Sequence, residues 1–132
     1  MAKIKKLTPA EWEIMEAIWE MDSSPSVREV LEHRFPNGEK AYTTVQTIMN
    51  TLEKKGILSR KKIGLVNFYS PVITRDKMVN AEVSSLLKRL FDGSVPALAN
   101  YLIHESTFDL SAIKKIKTLL AEKEKALKEK RS

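Results

Sequence analysis

The sequence predicts a mostly α chain with one small β-hairpin, in two parts: an N-terminal domain over residues 1–73 and a C-terminal helical domain over residues 74–132. Three observations predict it. Three segments of helical period with explicit start or stop signals precede Gly56, two short β-prone runs flank Gly64, and three further amphipathic segments follow Pro71.

The first helix starts at Thr8, which serves as N-cap, with Pro9 at the first helical position and Glu11 placed to reach back to the cap amide. It runs to about Met21. Trp12, Met15 and Trp19 share a face with Ile14 and Ile18 beside them, so the helix packs on others and both tryptophans belong to the core. Ser26 caps the second helix with Glu29 three residues later; Val27, Val30 and Leu31 form its apolar stripe, and Phe35-Pro36-Asn37-Gly38 ends it.

The third helix begins near Ala41 or Tyr42 and ends at Gly56, with Lys54 and Lys55 beside its negative dipole end. Val45, Ile48, Met49 and Leu52 face inward. The outer face carries Thr43, Gln46, Thr47 and Asn50, all uncharged and all able to hydrogen-bond. A face that only meets solvent favours Glu and Lys, which are better helix formers than Thr and Asn. This face has the side chains needed to read base edges.

After Gly56 the period changes. Ile57-Leu58-Ser59-Arg60-Lys61 and Val66-Asn67-Phe68-Tyr69-Ser70 form two strands around a turn at Gly64. Three helices followed by a hairpin outline a winged helix-turn-helix domain, with the second and third helices as the helix-turn-helix and the hairpin as wing. Pro71 to Thr74 forms the junction, and Thr74 caps a fresh helix with Asp76 in its first turn. That helix carries Val79, Val83, Leu86, Leu87 and Leu90 until Asp92-Gly93; Ser94 caps the next, with Val95, Leu98, Ala99, Leu102 and Ile103; the last opens near Ser111 and shows Ile113, Ile116 and Leu120. Three short amphipathic helices without a core of their own imply a second copy of the chain. The expected contacts of this three-helix dimerisation domain are Val83, Leu86, Leu87, Leu90, Leu98, Leu102, Ile113, Ile116 and Leu120, and its charged AEKEKALKEKRS tail reads as a solvated helix end.

With 132 residues, 42% of them apolar, the chain can fill one modest core and a second that a partner completes. The net charge of +6 suits a polyanion, and its distribution is more telling. Lys54, Lys55, Arg60, Lys61 and Lys62 cluster without an acidic residue among them, whereas the first helix holds Glu11, Glu13, Glu16 and Glu20. There is no cysteine for a disulfide, thiolate metal site or thiol nucleophile, and the N-terminus lacks the apolar run of a signal peptide. No stretch approaches the roughly 18 apolar residues of a membrane span. A cytoplasmic protein without membrane insertion, metal or cofactor is expected. His33 and His104 fall in different domains with no motif around either, and neither a Gly-rich phosphate loop nor a catalytic constellation is present, so no enzyme is expected.

The expected partner is double-stranded DNA. Gln46 and Asn50 can pair bidentately with adenine and the Thr43 and Thr47 methyls can meet thymine methyls, which favours an A·T-containing half-site. Arg60, Lys61 and Lys62 on the wing, with Lys54 and Tyr42, suit phosphate contacts that supply affinity without sequence information. The alternative is a winged-helix protein-interaction module without sequence-specific DNA binding.

Leu7-Thr8-Pro9-Ala10-Glu11-Trp12-Glu13, Ala41-Tyr42-Thr43-Thr44-Val45, Leu52-Glu53-Lys54-Lys55-Gly56 and Leu90-Phe91-Asp92-Gly93-Ser94-Val95, in this order, resemble the penicillinase-repressor family, often called BlaI/MecI/CopY. The resemblance extends from about Leu7 to Leu120. It implies a homodimeric repressor of a resistance or stress operon that binds a palindromic operator with TACA and TGTA half-sites. It further implies inactivation by a sensor-linked protease at an Asn-Phe bond of the dimerisation domain, for which Asn100-Tyr101 is the matching bond here, with Tyr in place of Phe. The family's copper-responsive branch uses a cysteine-rich metal site that this chain has no cysteine to build. Thr43 and Gln46 stand where some relatives carry basic residues.

Overall fold

The computed structural model describes residues 6–105 and 107–131; the charged segment before Lys6 lies outside them. The order is α1 (Pro9–Met21), α2 (Val27–Arg34), α3 (Tyr42–Lys54), β1 (Leu58–Ile63), β2 (Val66–Pro71), α4 (Arg75–Phe91), α5 (Val95–Glu105) and α6 (Leu110–Arg131). Mostly α with one antiparallel hairpin, this is the winged helix-turn-helix outline expected.

Both anticipated capping boxes are closed. The Thr8 amide donates to Glu11 Oε1 at 2.8 Å and the Glu11 amide to Thr8 Oγ1 at 3.2 Å; at α2 the equivalent Ser26 and Glu29 bonds are 3.0 and 3.2 Å. The termination of α3 follows from Gly56, whose φ of +80° is cheap only for glycine. Its amide donates to the Glu53 carbonyl and that of Ile57 to the Leu52 carbonyl, each at 3.0 Å, while Leu52 and Ile57 meet in the core. Gly64, at φ +65°, turns the hairpin, which pairs Ile63 with Val66 and Leu58 with Pro71.

The chain divides into a compact unit ending at Ser85 and a second beginning at Leu86. The core of the first unit is built by Ile14, Met15 and Ile18 of α1, Val27 and Val30 of α2, Val45, Met49 and Leu52 of α3, and Tyr69 of β2. Met78 of α4 is buried with them, so the start of α4 packs with the head rather than beginning a separate body. Trp12 and Trp19, expected in the core, are half-buried at its flank, edge to face with ring centroids 5.7 Å apart. Trp19 Nε1 donates to the Ile73 carbonyl at 3.1 Å, using the polar tip that keeps tryptophan near a wet boundary.

In the second unit Ser94 caps α5 through the Ala97 amide at 3.1 Å, and Asp109 caps α6 through the Ala112 amide at 2.7 Å. Neither α5 nor α6 buries a residue fully. Among the described residues, no helix is long and apolar enough to cross a membrane, and no group of three or more His, Cys, Asp or Glu is placed to hold a metal ion.

Candidate nucleic-acid interface

Amphipathicity orients α3. Burial of Val45, Met49 and Leu52 turns Thr43, Thr44, Gln46 and Thr47 to the outside, where all four are exposed. Their hydrogen-bonding capacities differ. Thr47 Oγ1 donates back to the Thr43 carbonyl at 2.9 Å, so outward it offers a methyl group and an acceptor lone pair. Gln46 makes no side-chain hydrogen bond within the described residues, leaving its carboxamide oxygen and NH2 free for a bidentate partner. Asn50 differs from these four. It is half-buried, and its Oδ1 accepts from the Tyr69 hydroxyl at 2.7 Å.

The N-terminus of α3 has no side-chain cap, since Ala41 occupies the cap position. Its first amides and positive dipole end are therefore available to an anion. Tyr42, 38% exposed, lies here with the Arg28 guanidinium 5.2 Å from its ring centroid. Arg28, Tyr42, Gln46, Val66 and Asn67 line one groove between the helix-turn-helix and the wing. Arg28 and Thr44 escaped the sequence reading: Thr44 adjoins the polar stripe without sharing its spacing, and nothing local ties Arg28 to a residue fourteen positions on.

On the wing, strand alternation splits the basic run. Arg60 pairs across the ladder with Tyr69, Lys61 with Phe68 and Lys62 with Asn67, which puts Arg60 and Lys62 on one face and Lys61 on the other. Arg60 sits 3.7 Å from Glu53 at the end of α3, a loose exposed pair worth little energetically. Lys54, Lys61 and Lys62 are exposed with no ion pair among the described residues. By contrast, three of the four carboxylates of α1 have a cationic partner, Glu11 with Lys55 at 2.7 Å, Glu13 with Arg34 at 2.6 Å and Glu16 with Arg75 at 3.0 Å, and Glu20 lies 3.3 Å from His33 Nε2. Local neutralisation of α1 leaves the positive field to the wing and the end of α3.

Most of the residues expected to dimerise are exposed. Leu86, Leu90, Leu102, Ile113, Ile116 and Leu120 of the second unit are 36–65% exposed, and only Leu87 and Leu98 are half-buried. Val83, 50% exposed, belongs to the first unit. The Asn100-Tyr101 bond lies within α5, and the Asn100 carbonyl is 2.8 Å from His104 Nδ1. Phe91 packs on the Tyr101 ring with centroids 6.0 Å apart.

Three helices, an antiparallel wing and an outward polar face on the third helix define a winged helix-turn-helix protein. The chain belongs to the Penicillinase repressor family, which it matches over residues 7–122. It is 28% identical to the penicillinase repressor of Bacillus licheniformis over 129 residues, covering 98% of this chain and 100% of that one. The transcriptional regulator BlaI of Mycobacterium tuberculosis is 33% identical over 79 residues, 60% of this chain and 57% of that protein. Among solved structures, the DNA binding domain of the repressor BlaI matches with a TM-score of 0.50 at 36% identity, covering 57% of this chain and 90% of the other.

Proposed function

We propose that this chain is a transcriptional repressor that binds duplex DNA with α3 and the wing and joins a second copy through its second unit. The observation that carries the reading is the exposed, uncharged face of Thr43, Gln46 and Thr47, set beside an uncapped helix start and the unpaired lysines of the wing. Gln46 is suited to adenine and the Thr47 methyl to thymine in the major groove. Tyr42, Arg28 and the first α3 amides take one stretch of phosphate backbone, and Lys61 and Lys62, on opposite faces of the wing, reach separate phosphates with their long side chains. Two heads on the half-sites of a palindromic operator then block polymerase, with joined heads gaining effective concentration that single heads lack. The family's repressor function supports this role for a resistance or stress operon.

Release by a sensor-linked protease at Asn100-Tyr101 fits the same scheme. Cleavage there divides α5 and detaches α6, which removes most of the apolar surface available to a second copy. Sequencing the fragments formed on induction tests this, and a cut elsewhere or none rejects it.

DNA binding is tested by titrating a labelled duplex with TACA and TGTA half-sites over a salt series. Log affinity should fall linearly with log salt, and Lys61→Ala with Lys62→Ala should reduce the slope by about 2, one for each phosphate that is no longer neutralised. Salt-insensitive binding rejects the reading. One observation favours the rival protein-interaction module: the wing tip is apolar and open, with Ile63, Leu65 and Val66 exposed by 57%, 96% and 45%. Gln46→Ala separates the two, because DNA reading predicts loss of preference at one base pair of about 5-fold to 100-fold with the fold intact, whereas a protein module predicts no change on DNA.

A further inference from the structure

Tyr69 is 1% exposed and is the largest fully buried side chain among the described residues. Its backbone amide donates to the Pro25 carbonyl at 2.9 Å, fixing β2 against the entry to α2, and its hydroxyl crosses to Asn50 Oδ1 on α3 at 2.7 Å. A hydroxyl at this depth needs a partner, and among the described residues Asn50 supplies it. The bond also constrains Asn50. Bidentate adenine reading needs the carboxamide oxygen and NH2 turned together toward the base. With the oxygen directed at a hydroxyl inside the protein, the edge carrying both groups cannot lie flat against a base.

We propose that Tyr69 is a positioning residue for DNA reading: it anchors Asn50 Oδ1 from the core and leaves Asn50 to act through its N–H donors alone. Asn50 then reads a single acceptor, such as a purine N7 or thymine O4, and the wing and recognition helix are registered to each other through this contact. The inference rests on the DNA-reading role proposed above. It replaces the bidentate adenine contact expected for Asn50 and leaves that contact to Gln46.

The test uses the full chain and duplexes in which each base pair of one TACA half-site is changed in turn. Tyr69→Phe keeps the ring and removes the anchor; Asn50→Asp keeps an acceptor for Tyr69 and removes the donors. Both should move the preference at the same single base pair while preferences at the other positions hold: Asn50→Asp lowers it by about 2-fold to 10-fold, the worth of one hydrogen bond, and Tyr69→Phe shifts it because Asn50 is released from its donor-only pose. A merely structural role for Tyr69 would weaken all duplexes alike and move no ratio. If Tyr69→Phe does not fold, Asn50→Asp decides. Wild-type protein that discriminates, with variants that discriminate equally, overturns this inference alone; wild-type protein without preference among the duplexes overturns the DNA reading and this inference together.

Discussion

Ile116→Glu combined with Leu120→Glu should lower affinity for a duplex carrying both half-sites by about 100-fold, with little effect on binding to an isolated half-site. The two residues lie one turn apart on α6 and are 41% and 65% exposed, so in a single chain both glutamates remain hydrated. In the proposed assembly of two chains the same positions would fall in an apolar contact, where an unpaired carboxylate is strongly disfavoured. The reduction comes from linkage: two heads held together rebind each other's half-site at an effective concentration that separate heads do not have. Sedimentation velocity should show wild type as a dimer and the variant as a monomer. A wild-type monomer at micromolar concentration, or a variant that keeps its full-site affinity, rejects the dimeric scheme.

The sequence made the local devices legible. Thr8 with Glu11, Ser26 with Glu29, Gly56 and Gly64 each act through neighbours a few residues away, so the beginnings and ends of α1, α2, α3 and the hairpin could be read directly. The outward turn of Thr43, Gln46 and Thr47 was legible for a similar reason, since helical period and an apolar inner face fix it. What escaped was long-range. Period alone places Asn50 with Gln46, but the hydroxyl that holds it comes from β2, nineteen residues on, and no spacing rule announces that contact. The basic run at Arg60 to Lys62 reads as one patch, yet a strand sends alternate side chains to opposite faces and the neighbouring Glu53 takes Arg60. Met78 follows a plausible junction but is buried in the core of the first unit, because which apolar residues that core takes in cannot be seen before the elements are packed.

Glu11 shows the same limit. Its place in the sequence explains the capping box, and Lys55 reads as a partner for the α3 dipole. The structure joins them across forty-four residues: Lys55 Nζ donates to Glu11 Oε1 at 2.7 Å and to the Lys6 carbonyl at 3.2 Å, tying the start of α1 to the end of α3. Burial by itself pushes the Glu11 carboxyl up. The hydrogen bond from Lys55, the Thr8 amide, the Lys55 charge and the Thr8 hydroxyl together outweigh it and hold the carboxyl below its ordinary value of 4.5. Glu11→Gln keeps the shape and an acceptor for the Thr8 amide but leaves the Lys55 ammonium without its counter-charge. At neutral pH it should destabilise the fold by about 1–3 kcal/mol, since the pair is only partly shielded from water. For a unit of this size that lowers the melting midpoint by about 5–15 °C. Because the folded pKa is depressed, the stabilisation is fully present above pH 4.5 and is lost as pH falls through the lower folded value. Melting curves of wild type and Glu11→Gln should therefore stay separated by a constant gap from about pH 6 to 8 and converge in acid, where the protonated carboxyl resembles the amide. A gap that persists unchanged below the folded pKa would assign the loss to packing instead of charge. No gap at neutral pH would mean that α3 is held at its angle by the apolar core without help from this pair.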